Sequence, residues 1–172
     1  MKEPSGHPAG TLRVTVGILA HDAKKDEVCL FARAQRHLLD RVCLMAPEDT
    51  AMALEEVGLE VEMLLSGSRG GDLQLGAAVV EGRVDAVIFI QDPLVPLAGE
   101  PDIGAMMKVC DLERIPIATN LATAEIVLHR LADVRRIGDP PVDDPFDAYR
   151  SGRVIRLNRP ARDGSRRSRM KR

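Results

Sequence analysis

Val84-Asp85-Ala86-Val87-Ile88-Phe89-Ile90 reads as a strand covered on both faces, because six of its seven residues are apolar and most are β-branched or aromatic. A continuous apolar run, rather than an alternating one, belongs to a parallel sheet packed between helices. On both sides of this run the chain alternates between strand-like and helix-like stretches. Residues 11–20 (TLRVTVGILA) read as a first strand, followed by a helix over 26–39 with apolar residues at Val28, Leu30, Phe31, Ala34, Leu38 and Leu39. A short strand is expected over 41–46, then a helix starting at Pro47 and stopped by Gly58. A third strand over 59–65 leads through a glycine-rich loop into a helix over 73–80. Beyond the central run, a helix over 103–112, a strand over 115–119 and a helix over 122–131 complete the pattern. This order predicts a single doubly wound α/β domain, with about five parallel strands and helices on both faces.

The composition fits that prediction. At 172 residues the chain has the length of one domain with a sizeable core. Hydrophobic residues make up 45% but aromatics only 2%, so the core must be built from Val, Ile, Leu, Ala and Met. Cys29, Cys43 and Cys110 are odd in number and form no CxxC pair, so they are expected to pack as small reduced hydrophobes. No stretch has the length of a membrane span, and the first twelve residues lack the apolar centre of a signal peptide. A cytoplasmic protein without membrane contact is the expectation. The net charge of −2 hides an asymmetry, since residues 150–172 carry ten Lys and Arg against one acidic residue. The expected organisation is a flexible N-terminus over 1–10, the α/β domain over 11–149, and a basic, disordered tail over 150–172. That tail reads either as a solvated segment or as a weak contact for RNA or another polyanion.

Doubly wound sheets bind ligands beyond the carboxyl ends of their strands. The polar clusters fall at those ends: His21-Asp22 after the first strand, Ser66 to Asp72 after the third, Asp92 to Asp102 after the fourth, and Thr119-Asn120 after the fifth. The loop Ser66-Gly67-Ser68-Arg69-Gly70-Gly71-Asp72 does not follow the dinucleotide pattern GxGxxG. Consecutive backbone N–H groups at a helix start form a nest for a phosphate, and a carboxylate beside it can abstract a proton. The structural alternative is a turn whose Asp72 caps the helix. His21 alone reads equally as an ordinary hydrogen-bonded histidine, Lys25 as an exposed helix lysine, and Asp92 and Asp102 as turn residues.

The motifs Ala20-His21-Asp22 with Lys25, Leu65-Ser66-Gly67 with Gly70-Gly71-Asp72, Asp92-Pro93-Leu94, Glu100-Pro101-Asp102 and Ile115-Pro116-Ile117-Ala118-Thr119-Asn120 occur in one order. With them the chain resembles the methylglyoxal synthases over roughly residues 13–131. That family converts dihydroxyacetone phosphate to methylglyoxal and inorganic phosphate. The reaction needs a base, polarisation of the carbonyl oxygen and a cradle for the leaving phosphate. The resemblance implies that Asp72 is the base and that Asp102 assists in proton handling. It places Lys25, Ser66, Gly67 and Thr50 at the phosphate, and His21, Asp22 and Asp92 around the same pocket. It further implies a small phosphorylated substrate, no metal or organic cofactor, and a homohexamer in which Arg150 or Arg153 reaches a neighbouring site.

Two positions depart from the family pattern. Its phosphate loop of Thr-Gly-Thr-Thr-Gly type is Pro47-Glu48-Asp49-Thr50-Ala51 here. Pro47 has no N–H to donate, and Glu48 and Asp49 bring carboxylates towards a dianion. Gly99 stands where the family carries a histidine that contacts substrate oxygens. Arg69, at a commonly apolar position, reads as a replacement phosphate ligand, as a partner for Glu48 and Asp49, or as a solvated side chain. Two functions therefore remain open at this point: a methylglyoxal synthase, or a non-catalytic, re-purposed ligand-binding relative on the same scaffold.

Overall fold

The computed structural model describes residues 14–94 and 103–134. Five parallel strands form one sheet: β1 (Thr15–Ala20), β2 (Cys43–Pro47), β3 (Glu62–Leu64), β4 (Ala86–Ile90) and β5 (Ile117–Ala118). Their order is β3-β2-β1-β4-β5, so the chain winds outward from β1 and then crosses back to lay β4 on its other side. β1 is the hub. It pairs with β2 from Thr15↔Cys43 to Gly17↔Met45 and with β4 from Val16↔Ala86 to Ala20↔Ile90. The helices are α1 (Lys25–Ala34), α2 (Arg36–Leu39), α3 (Glu48–Glu56), α4 (Gly71–Val80), α5 (Ile103–Glu113) and α6 (Leu121–Val134). The doubly wound α/β fold expected from the sequence is the fold observed.

Strand alternation divides the core into two layers. Val16, Ile18 and Ala20 point to the side covered by α1, α2, α3 and α6, where they meet Val28, Leu39, Leu54 and Leu128. Leu19, Met45, Val87 and Phe89 point to the side covered by α4 and α5, against Leu75, Val79, Met106 and Cys110. Fully burying a side chain such as Leu54, Leu75 or Phe89 contributes roughly 1.5–3 kcal/mol, so both layers hold the sheet. Asp85, the one charge in the central run, sits at the strand entry, where its Oδ2 accepts the Thr15 N–H at 2.9 Å. Its own N–H donates back to the Thr15 carbonyl at 2.8 Å.

The structure corrects several boundaries. The helix expected over 26–39 is broken at Gln35, and a 3-10 turn at Asp22–Lys24 precedes it. The break turns Arg36 towards the end of α3, where its guanidinium donates to the carbonyls of Val57 at 2.9 Å and Gly58 at 2.7 Å. These are the acceptors that a helix terminus leaves without partners. Pro47 is the last residue of β2, paired with Leu64, and its ψ of 150° is extended, so α3 begins after it. β3 is three residues long, because as an edge strand it gains register from β2 alone.

Candidate active site

β1 delivers His21 to the carboxyl edge of the sheet, where its backbone N–H donates to the Ile90 carbonyl at 3.0 Å and ties the ends of β1 and β4 together. The ring is 6% exposed and meets Phe89 edge-on with centroids 5.7 Å apart. Nδ1 accepts the Asp92 backbone N–H at 3.3 Å. A neutral ring with Nδ1 as acceptor carries its hydrogen on Nε2, which leaves Nε2 as the donor. Asp92 also bonds its own turn, with Oδ1 accepting the Leu94 N–H at 2.9 Å. After His21, the 3-10 turn presents Asp22, which forms an ion pair with Lys25 at the start of α1.

The start of α3 forms the facing wall. Its first N–H groups have no acceptor within the helix. That of Glu48 reaches the Leu65 carbonyl at 3.4 Å, while those of Asp49 and Thr50 lie in the free first turn. Thr50 is 3% exposed. Glu48 and Asp49 favour a helix start, since carboxylates complement its positive end. Together His21, Asp22, Lys25, Asp49, Thr50, Gly67 and Ser68 line a polar crevice of about 260 Å³.

The glycine-rich loop is folded largely on itself. The Ser66 carbonyl accepts the N–H groups of Arg69 at 2.9 Å and Gly71 at 3.0 Å, and the Gly67 carbonyl accepts that of Gly70 at 3.0 Å. The N–H groups at 69–71 are thus consumed within the turn, and the phosphate nest expected along the whole loop is not formed by them. Gly70 has φ 88°, a conformation that favours glycine. Ser66 is buried and its hydroxyl lies 3.3 Å from that of Ser68.

Asp72 occupies the first turn of α4, half-buried, and lines a second cavity of about 250 Å³ with Leu73, Gly76, Phe89, Met106 and Val109. The two cavities share no lining residue; the His21–Phe89 ring contact joins their walls. Of the expected site residues, His21, Asp22, Lys25, Thr50 and Gly67 come together at the crevice, Ser66 adjoins Gly67, and Asp92 is bound to His21. Asp72 faces the neighbouring cavity. Asp102 lies outside the described residues, as do Gly99, Arg150, Arg153 and the tail. Ser68 lines the crevice although only its place in the glycine-rich loop marks it in the sequence. Arg69 is exposed and lines neither cavity.

Among the described residues no group of three or more His, Cys, Asp or Glu side chains could hold a metal ion. No described helix is long and apolar enough to cross a membrane.

These features define a doubly wound α/β domain with a small polar crevice at the carboxyl ends of its strands, opposite a helix start that suits an anion. No family model matches the chain. It is 50% identical over 117 residues to the methylglyoxal synthase of Ralstonia nicotianae, covering 67% of this chain and 87% of that protein. It is 47% identical over 114 residues to the methylglyoxal synthase of Thermus thermophilus, covering 66% of this chain and 90% of that one. The crystal structure of methylglyoxal synthase from Elizabethkingia anophelis superposes with a TM-score of 0.68 at 29% identity, over 88% of this chain and 94% of that one. The chain belongs to the methylglyoxal synthase family.

Proposed function

We propose that this chain is a lyase that converts dihydroxyacetone phosphate to methylglyoxal and inorganic phosphate. The observation that carries the reading is the convergence of Lys25, Thr50, Gly67 and the His21 ring on one crevice in a chain 50% identical to a methylglyoxal synthase. In this reading a base takes a proton from the carbon bearing the hydroxyl, leaving an enediolate. The electron pair then expels phosphate with cleavage of the carbon–oxygen bond, and the enol product rearranges to methylglyoxal.

Asp72 is the base in this scheme, and Asp102 assists in returning protons. Lys25, Thr50, Ser66 and Gly67 hold the phosphate. His21 offers Nε2–H to the oxygen that gains charge, held in that tautomer by the Asp92 N–H. Asp22 orients Lys25 through their ion pair. The scheme uses no metal or organic cofactor. Purified protein given dihydroxyacetone phosphate is expected to release methylglyoxal and phosphate in equal amounts; release of neither removes the reading.

The family reading carries further a homo-oligomer, a hexamer in the resemblance, and a cytoplasmic location. Light scattering that finds only monomer at working concentration would remove the first. A second reading, a re-purposed ligand-binding domain, is favoured by one observation: Asp49 stands on the crevice wall and Pro47 beside it has no N–H. It predicts phosphate binding without turnover.

A further inference from the structure

We propose that Asp49 makes the crevice selective for oxyanions that carry a proton, its carboxylate accepting a hydrogen bond from the P–OH of a singly protonated phosphate group. The inference rests on the reading of this crevice as the phosphate site.

The wall has donors at one end and a carboxylate among them. The first-turn N–H groups of Asp49 and Thr50, the Thr50 hydroxyl and Lys25 suit an anion. Lys25, the one lysine of the lining among the described residues, is already paired with Asp22, and Asp49 adds a second carboxylate. His21 aside, the lining side chains among the described residues therefore carry one positive and two negative charges. A fully deprotonated phosphate meets net repulsion there. A singly protonated one has less charge and presents a donor, which turns the Asp49 contact into a charge-assisted hydrogen bond. Sulfate has the same shape but holds no proton near neutral pH, so it can offer Asp49 only lone pairs. Such an arrangement works by penalising the wrong ligand as much as by holding the right one.

The charged or titratable groups around Asp49 are His21, Asp22 and Lys25 across the crevice and Glu48 on its own helix. Both anions meet these same groups. The difference between the two anions isolates the proton carried by the ligand, which a phosphate monoester loses near pH of about 6.

The test is calorimetry on the full chain with methyl phosphate, a monoester, and with sulfate, at pH 6 and pH 8 and constant ionic strength, repeated for Asp49→Asn. Asp49 is exposed, and the circular dichroism of the variant checks its fold. The natural chain is expected to bind methyl phosphate about tenfold more tightly than sulfate at pH 6, with that preference shrinking at pH 8 as the monoester loses its proton. Asp49→Asn should bring the two anions within about threefold at both pH values and strengthen methyl phosphate at pH 8. Equal binding of the two anions by the natural chain, or an unchanged preference in Asp49→Asn, overturns the proposal while the phosphate site stands. If neither anion binds either protein, the reading of the crevice as a phosphate site falls as well.

Discussion

Gly71 rests against the backbone of Leu65 so closely that a Cβ at position 71 would stand 1.8 Å from the Leu65 carbonyl oxygen. The neighbouring Gly71 N–H bonds the Ser66 carbonyl at 3.0 Å, so the start of α4 is locked onto the end of β3 through two successive residues. Asp72 is the next residue, and its position depends on this lock.

Gly71→Ala should therefore destabilise the protein by at least about 2 kcal/mol, because the obstacle is the Leu65 backbone and cannot rotate away. Gly76→Ala in the same helix is the contrast: its Cβ would meet only Met106 Cε at 4.0 Å, an ordinary contact. That change should stabilise by about 0.5–1 kcal/mol through helix propensity and the unfolded chain. Urea midpoints of both variants against the natural chain decide the matter. Equal shifts would mean that the loop yields at Leu65.

Asp72→Asn should lower kcat by about 100-fold or more while leaving the thermal midpoint and phosphate affinity close to those of the natural chain. The amide keeps the shape but cannot take the proton. Because Asp72 lines a different cavity from Lys25 and Thr50, phosphate affinity is the sensitive control. Substantial remaining turnover would move the role of base to another carboxylate, Asp102 first.

Cys110 is 0% exposed, and burial, reinforced by the charge of Asp111, pushes its thiol up to about 11. Burial raises Cys29 as well, with Asp26 adding to the effect. A raised native value means that the folded protein keeps a proton the unfolded chain gives up. The resulting stabilisation is complete below the unfolded thiol value of about 8.5 and is lost as pH rises towards the native one. The fall in stability between pH 8 and 10 should thus be shallower in Cys110→Ala than in the natural chain. Thiol labelling at pH 8 should reach Cys110 only on unfolding, and rapid labelling of the folded protein would contradict its burial.

The order of strands and helices was legible because each apolar run had the period of its element, and the central run of β4 announced a sheet covered on both sides. The break at Gln35 was not legible, since it is set by Arg36 reaching the end of α3, a partner more than twenty residues away. At the site, the grouping of His21, Asp22, Lys25, Thr50 and Gly67 followed from their places after strands and from the family motifs. The fate of the loop N–H groups did not. Whether an N–H points outward to a ligand or inward to the Ser66 carbonyl depends on φ and ψ, which a run of glycines leaves open. The separation of Asp72 from the crevice also needed coordinates, because the side chains of His21 and Phe89 stand between stretches that the sequence lists merely as neighbours in a pattern.

The His21–Phe89 contact divides the carboxyl edge into two compartments with different ancestry in the chain. The crevice draws its lining from residues between Leu19 and Ser68, whereas the cavity beside Asp72 draws on residues between Asp72 and Val109. Substitutions in the first segment can retune which anion is held while leaving the residues around Asp72 unchanged. A scaffold partitioned in this way can lose or exchange a ligand preference in single steps, and Pro47 and Asp49 both belong to the crevice lining alone.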